Sequence, residues 1–210
     1  MEYTTKGFFK KSKIAMRYWL LGRNYNTALK AMELGLKCHS GKRKDSVTPE
    51  FQHQLSIANY AKAFEPTLLY SEETLAVIFL HDVLEDCDIT SSYIKNEFGE
   101  RIQLSVMAMT KKYENVKKDI KKYHHEISQD PIASLTKPWD RINNIQTMVN
   151  VFTEKGQKWY IEETENFILP SIKKARRLFI QQESIYMNAK VMLCNQMDLI
   201  KLIHTERGMD

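Results

Sequence analysis

Apolar residues along this chain recur at three- and four-residue steps rather than in strict alternation, the pattern of amphipathic helices rather than half-buried strands. It predicts helices over 9–22, 25–38, 50–63, 71–86, 90–96, 98–109, 114–127, 131–152, 158–180 and 183–204. Seven Gly and five Pro in 210 residues are sparse punctuation, and the expected fold is an all-α helical bundle in one domain. Several ends carry start signals. Thr48-Pro49-Glu50 sets a capping Thr before a Pro at a first helical position, Asp130-Pro131 repeats the device, and Ser71 precedes the first-turn acids Glu72 and Glu73. The basic stretch 41–48, GKRKDSVT, reads as the clearest loop, and neither an internal repeat nor a linker divides the chain.

Composition narrows the class. A hydrophobic content of 43% supplies a core for one compact domain and leaves no room for a second catalytic one. The opening MEYTTKGFFKKSK lacks an apolar signal core, and no run approaches the roughly 18 apolar residues of a membrane span, so a soluble, cytoplasmic protein without a membrane partner is expected. Cys38, Cys87 and Cys194 lie too far apart for a CxxC pair, which argues against a thiolate zinc site. The net charge of +5 comes from 31 basic and 26 acidic residues mixed along the chain; it favours anionic partners without choosing among them. The lysines of 111–125 read as a solvated helix face, and no nucleic-acid reading motif accompanies them.

The chemistry concentrates in LAVIFLHDVLEDCDIT, residues 75–90, where a nearly continuous apolar run delivers His81, Asp82, Glu85 and Asp86 within two helical turns. Steps of three and four residues gather these groups into one cluster. Three carboxylates and an imidazole packed together repel and lose solvation unless a cation joins them. An isolated His-Asp dipeptide is more often a core histidine beside a solvated acid, so its surroundings decide. Upstream, PEFQHQLSIA places His53 on a helix with a core-facing side; downstream, SLTKPWDRINNIQTM sets Asp140, Asn144 and Thr147 on one helical stripe.

The order His, His-Asp, Asp resembles the HD phosphohydrolase superfamily, and the flanking residues resemble its RelA/SpoT-type alarmone hydrolases. HDVLEDCDIT looks like that family's HD-x-x-ED-x-x-x-T segment, HSGKRKDSVTPEFQH (39–53) its His-x-Gly basic loop, KPWDRINNIQT (137–147) its Lys-x-x-Asp-Arg-x-x-Asn-x-x-Thr, and YIEETENFILPSIKKAR (160–176) its closing helix. The resemblance covers roughly 25–180. It implies a hydrolase domain there, with an N-terminal helical extension over 1–24 and a C-terminal helix over 181–210 packed on it. It implies His53, His81, Asp82 and Asp140 as ligands of a divalent metal, manganese in the first place and iron or another first-row ion otherwise, in keeping with a mixed imidazole and carboxylate shell. Glu85 and Asp86 take the catalytic roles, orienting or deprotonating water, while Arg43, Lys44, Asn144 and Thr147 contact the substrate.

The activity so implied is removal of the 3′-pyrophosphate from guanosine 3′,5′-bis(diphosphate) or its pentaphosphate relative by a stand-alone hydrolase. The alternatives are a nucleotidase or deoxynucleotide triphosphohydrolase of the same superfamily, and a catalytically silent nucleotide-binding module. Self-association stays open. Two departures touch specificity: Val47 and Glu50 stand near a Gly and an aromatic of the family's loop, and Trp139 replaces the usual Ala before Asp140. Pro138 is expected to kink its helix.

Overall fold

The computed structural model describes residues 5–206 and Gly208; the positions 1–4, 207, 209 and 210 of the expected terminal extensions lie outside the described residues. The chain is an all-α bundle of α1 (Thr5–Gly22), α2 (Asn26–Cys38), α3 (Gln52–Ala63), α4 (Ser71–Leu80), α5 (Val83–Asp86), α6 (Ser91–Phe98), α7 (Glu100–Met109), α8 (Ile120–Gln129), α9 (Ala133–Met148), α10 (Glu154–Glu163), α11 (Leu169–Leu178) and α12 (Glu183–Glu206). A two-stranded ribbon, β1 (Lys112–Tyr113) and β2 (Val116–Lys117), precedes α8. Among the described residues no helix is long and apolar enough to cross a membrane.

Helix α4 is the axis of the core. Its run Leu75–Leu80 is fully buried on every side, as a helix that is apolar all round must be, and α2, α3, α7 and α9 pack against it. The closest approach is at Gly35 of α2, where an added Cβ would sit 2.5 Å from the Phe79 carbonyl oxygen and 2.6 Å from the Phe51 ring. The start of α2 is satisfied from the same side: Thr27 and Ala28 donate their backbone N–H groups to Glu72 Oε1 at 2.6 and 3.3 Å. Met16 and Leu20 of α1, and Ile185, Tyr186, Ala189, Leu193, Met197 and Ile200 of α12, join the same hydrophobic cluster, so both terminal helices share the one core.

Five expected elements differ from the structure. The helix expected over 71–86 breaks at His81-Asp82, where Asp82 takes φ −104° and ψ −4°. The helix expected over 50–63 begins at Gln52, and Thr48 does not cap it; Asp45 instead accepts from the Val47 and Thr48 N–H groups at 2.9 and 2.8 Å, closing the basic loop on itself. Over 114–127 the chain turns back as the ribbon, with Glu114 and Asn115 at φ 48° and 64°, and α8 starts only after Asp119, whose Oδ1 accepts from the Lys121 and Lys122 N–H groups at 3.0 Å. The segment 158–180 starts early, at a Thr153 cap, and is interrupted by a five-residue π turn over 164–168 before α11. Ser71 donates to the Glu65 carbonyl at 3.0 Å rather than capping α4. The Asp130 signal works as read, accepting from Ile132 and Ala133 N–H at 2.9 and 2.6 Å. Helix α9 then continues through Pro138 to Met148, short of the expected 152.

Candidate metal centre

Three elements converge on one cleft of about 640 Å³: α3, the α4–α5 break, and α9, with the 39–50 loop as its rim. The break is what turns His81 and Asp82 towards His53, one imidazole from each neighbouring element. Nitrogens of His53 and His81 and an oxygen of Asp82 lie within 4.8 Å of one another, and the two imidazole centroids are 5.5 Å apart. Asp140 joins through Oδ1, 3.1 Å from His53 Nε2.

The outer sides of both rings fix their protons. His81 Nδ1 donates to the Ile78 carbonyl at 2.8 Å, and His53 Nδ1 donates to the Asn143 side-chain oxygen at 2.7 Å. Each Nε2 therefore presents a lone pair inward. There His53 meets Asp140, and His81 Nε2 lies 2.9 Å from Asp82 Oδ2 while fully buried and without a hydrogen bond. Lone pairs facing carboxylates are tolerated only if a cation lies between them or the imidazoles take up protons. Burial opposes the charge on His81, but Asp82 beside it overcomes that and raises its pKa to about 9. The donor set of two imidazoles and two carboxylates, with an orphaned nitrogen aimed inward, fits a first-row divalent ion.

Asp140 is set by its own helix. Lys137 Nζ lies 2.8 Å from Oδ2, and Asn144 donates to Oδ1 at 2.6 Å. Burial resists ionisation there, but the ammonium of Lys137 holds the carboxyl well below the usual range. Asp86 shows the opposite balance: burial, then the charge of Asp82, pushes its carboxyl up. Glu85 accepts a close hydrogen bond from the Lys111 backbone N–H at the base of the ribbon.

The expected substrate residues reach the same cleft. Arg43 donates to Asn144 Oδ1 at 3.2 Å and to Thr147 Oγ1 at 3.4 Å, and Lys44 Nζ stands 4.4 Å from the centre of the Phe152 ring. Nine of the ten expected site residues line this one cleft, and the tenth, His81, joins them through a ring nitrogen within 4.8 Å of ligand atoms of His53 and Asp82. Sequence reasoning did not assign roles to Lys137, Asn143, His39 or Glu50. Lys137 and Asn143 lie three residues either side of Asp140 on α9, so their helical spacing from that residue carried a signal; His39 and Glu50 meet only through the fold of the loop. Beneath the site, Glu163 is tied to Arg141, to Lys111 at 3.1 Å and to His124 at 3.4 Å, with Arg141 and Glu163 side chains both 3% exposed.

A model of the HD domain matches residues 31–167, which include every element of this centre. The chain belongs to the HD domain family. Among curated relatives, the Aquifex aeolicus protein named guanosine-3′,5′-bis(diphosphate) 3′-pyrophosphohydrolase is 32% identical over 146 residues, covering 67% of this chain and 20% of that one. The Brucella ovis protein named GTP pyrophosphokinase rsh is 30% identical over 149 residues, covering 67% and 19%. The chain thus spans about a fifth of the length of these relatives. A solved structure, described as "A metazoan ortholog of SpoT hydrolyzes ppGpp and plays a role in starvation responses", shares the fold with a TM-score of 0.59 at 18% identity, over 88% of this chain and 97% of that one.

Proposed function

We propose that this HD domain, spanning about 25–180 with helical extensions on either side, is a metal-dependent phosphohydrolase that removes the 3′-pyrophosphate from guanosine 3′,5′-bis(diphosphate)-like alarmones. The observation that carries the reading is the convergence of two inward-facing imidazole lone pairs, Asp82 and Asp140 in a cleft that also holds Glu85, Asp86, Arg43 and Lys44. Relatives named for this reaction or for its alarmone support the substrate.

In this reading His53, His81, Asp82 and Asp140 hold a divalent ion, manganese by preference. Such an ion lowers the pKa of a bound water and polarises a phosphoryl oxygen. Glu85 and Asp86 orient the attacking water and take its proton, and for Asp86 the role suits a carboxyl raised by burial and by the neighbouring Asp82. Water oxygen bonds to the phosphorus next to the ribose 3′ oxygen, that P–O bond breaks, and the 3′ oxygen leaves with a proton. The products are pyrophosphate and a guanosine 5′-diphosphate. Arg43 and Lys44 neutralise the phosphates, Arg43 being aligned by Asn144 and Thr147, and Phe152 under Lys44 gives the nucleoside an apolar wall. Lys137, whose pKa Asp140 raises against the cost of burial, stays charged and fixes that carboxylate.

Asp82→Asn is the direct test. Its side chain is 40% exposed, so the substitution leaves the fold intact. Elemental analysis should find the centre's ion lost, with turnover reduced at least a hundredfold; retained metal and turnover would refute the assignment.

A further inference from the structure

The cleft holds a second set of metal-type donors. His39, just past the end of α2, Glu50, at the close of the basic loop, and Asp86, at the end of α5, bring an imidazole nitrogen and two carboxylate oxygens within 4.8 Å of one another. All three line the same cleft as the HD centre. His39 is 3% exposed, its Nε2 is buried without a hydrogen-bond partner, and its Nδ1 points at Glu50 Oε1 from 3.7 Å, too far for a hydrogen bond. Asp86 stands among the charges of Asp82, Glu85 and Glu50.

An imidazole buried without satisfaction beside two such carboxylates costs free energy that a cation would remove. The loop explains why the three groups meet. Glu50 donates its backbone N–H to the Gly41 carbonyl at 3.0 Å, and the Lys42–Pro49 bridge folds the loop back so that Glu50 returns beside His39. Glu50 is also one of the departures from the resembled family, where an aromatic stands nearby.

We propose that His39, Glu50 and Asp86 hold a second divalent cation, manganese or a similar first-row ion, in the cleft beside the first. One imidazole and two carboxylates on one side of an ion leave its remaining positions open to water or phosphate oxygens. Its service to catalysis rests on the reading of the cleft as a phosphohydrolase site: it would bind a phosphate group of the substrate and relieve the repulsion among Glu50, Asp82 and Asp86, and with Asp86 held as a ligand it would leave Glu85 to take the proton of the attacking water. Its presence does not depend on that reading.

The test is metal stoichiometry of the full chain, stripped with chelator, dialysed against manganese chloride and measured by elemental analysis. Wild type is expected to bind two equivalents, and Glu50→Gln and His39→Ala one each. The Glu50 side chain is 39% exposed and glutamine keeps its shape, so that variant stays folded, which circular dichroism checks. Asp82→Asn is expected to keep one equivalent, held by the second triad. Wild type binding none, or Glu50→Gln binding as many equivalents as wild type, overturns the proposal, whereas a single wild-type equivalent that Glu50→Gln loses and Asp82→Asn keeps leaves the second site standing and refutes the first centre. If Asp82→Asn keeps both ions while Glu50→Gln loses one, the assignment of the first centre fails and the second site stands.

Discussion

At the scale of single residues, the tautomers of His53 and His81 are set by acceptors that touch no substrate: the Asn143 side chain and the Ile78 carbonyl. The carbonyl cannot be mutated, but Asn143 can. Asn143→Leu removes the partner that keeps the His53 lone pair facing inward, and outer-shell losses of this kind typically weaken metal affinity about 10–100-fold. Manganese competition titration should read that loss, and because the buried His53 N–H is left without an acceptor the apo protein should also lose about 1–3 kcal/mol in urea unfolding. Glu163 acts on stability instead. Burial opposes its charge, yet the bond from His124 and the guanidinium of Arg141 hold its carboxyl well below the ordinary range. A folded-state pKa below the unfolded one contributes stability that is complete above the unfolded carboxylate value, about 4.3, and fades as pH falls below it. Glu163→Gln leaves Arg141 buried without its charge partner, at a cost of about 3–5 kcal/mol near neutral pH. Thermal unfolding at pH 7 and near pH 3.5 should show that deficit shrinking in acid; a deficit independent of pH would contradict this account.

At the scale of elements, the site depends on α4 lying hard against α2 and then stopping. Gly35→Ala drives a methyl into the Phe79 carbonyl and the Phe51 ring, and overpacking of this kind costs about 1–3 kcal/mol. Urea unfolding measures it, and a neutral result would mean that the two helices can separate freely. The helices were legible wherever apolar spacing or a cap carried them, as in α2, α7 and α9 with its Asp130 start. The ribbon was not: half of Lys112–Lys117 is charged, and Glu114 at positive φ is not a residue that announces a turn, so the lysines read as a helix face. The break after Leu80 was hidden for a different reason. His81, Asp82, Glu85 and Asp86 keep helical spacing across it, and only tertiary packing, with the His81 ring bonded back to Ile78, decides that the chain turns there. The cluster was legible as composition and order, while the meeting of His39 with Glu50 follows from loop pairing that no periodicity encodes.

At the scale of the whole molecule, one apolar core carries two kinds of chemistry on a single wall. His53, Asp82, Glu85, Asp86 and Asp140 from α3, the α4–α5 break and α9 line the cleft together with Lys42, Arg43 and Lys44 of the basic loop. Under the proposed function that arrangement suits a polyanion, with its scissile phosphorus beside the acids and its other phosphates beside Arg43 and Lys44. Family membership and the resemblance of four ordered segments point the same way, and Val47 and Glu50 in the loop are where substrate choice is most exposed to change. The most direct measurement is product analysis with manganese-loaded protein and guanosine 3′,5′-bis(diphosphate), beside a panel of nucleoside triphosphates and the Asp82→Asn variant. The account predicts release of pyrophosphate and guanosine 5′-diphosphate by the wild type alone; an intact alarmone, or tripolyphosphate released from triphosphates instead, would contradict it.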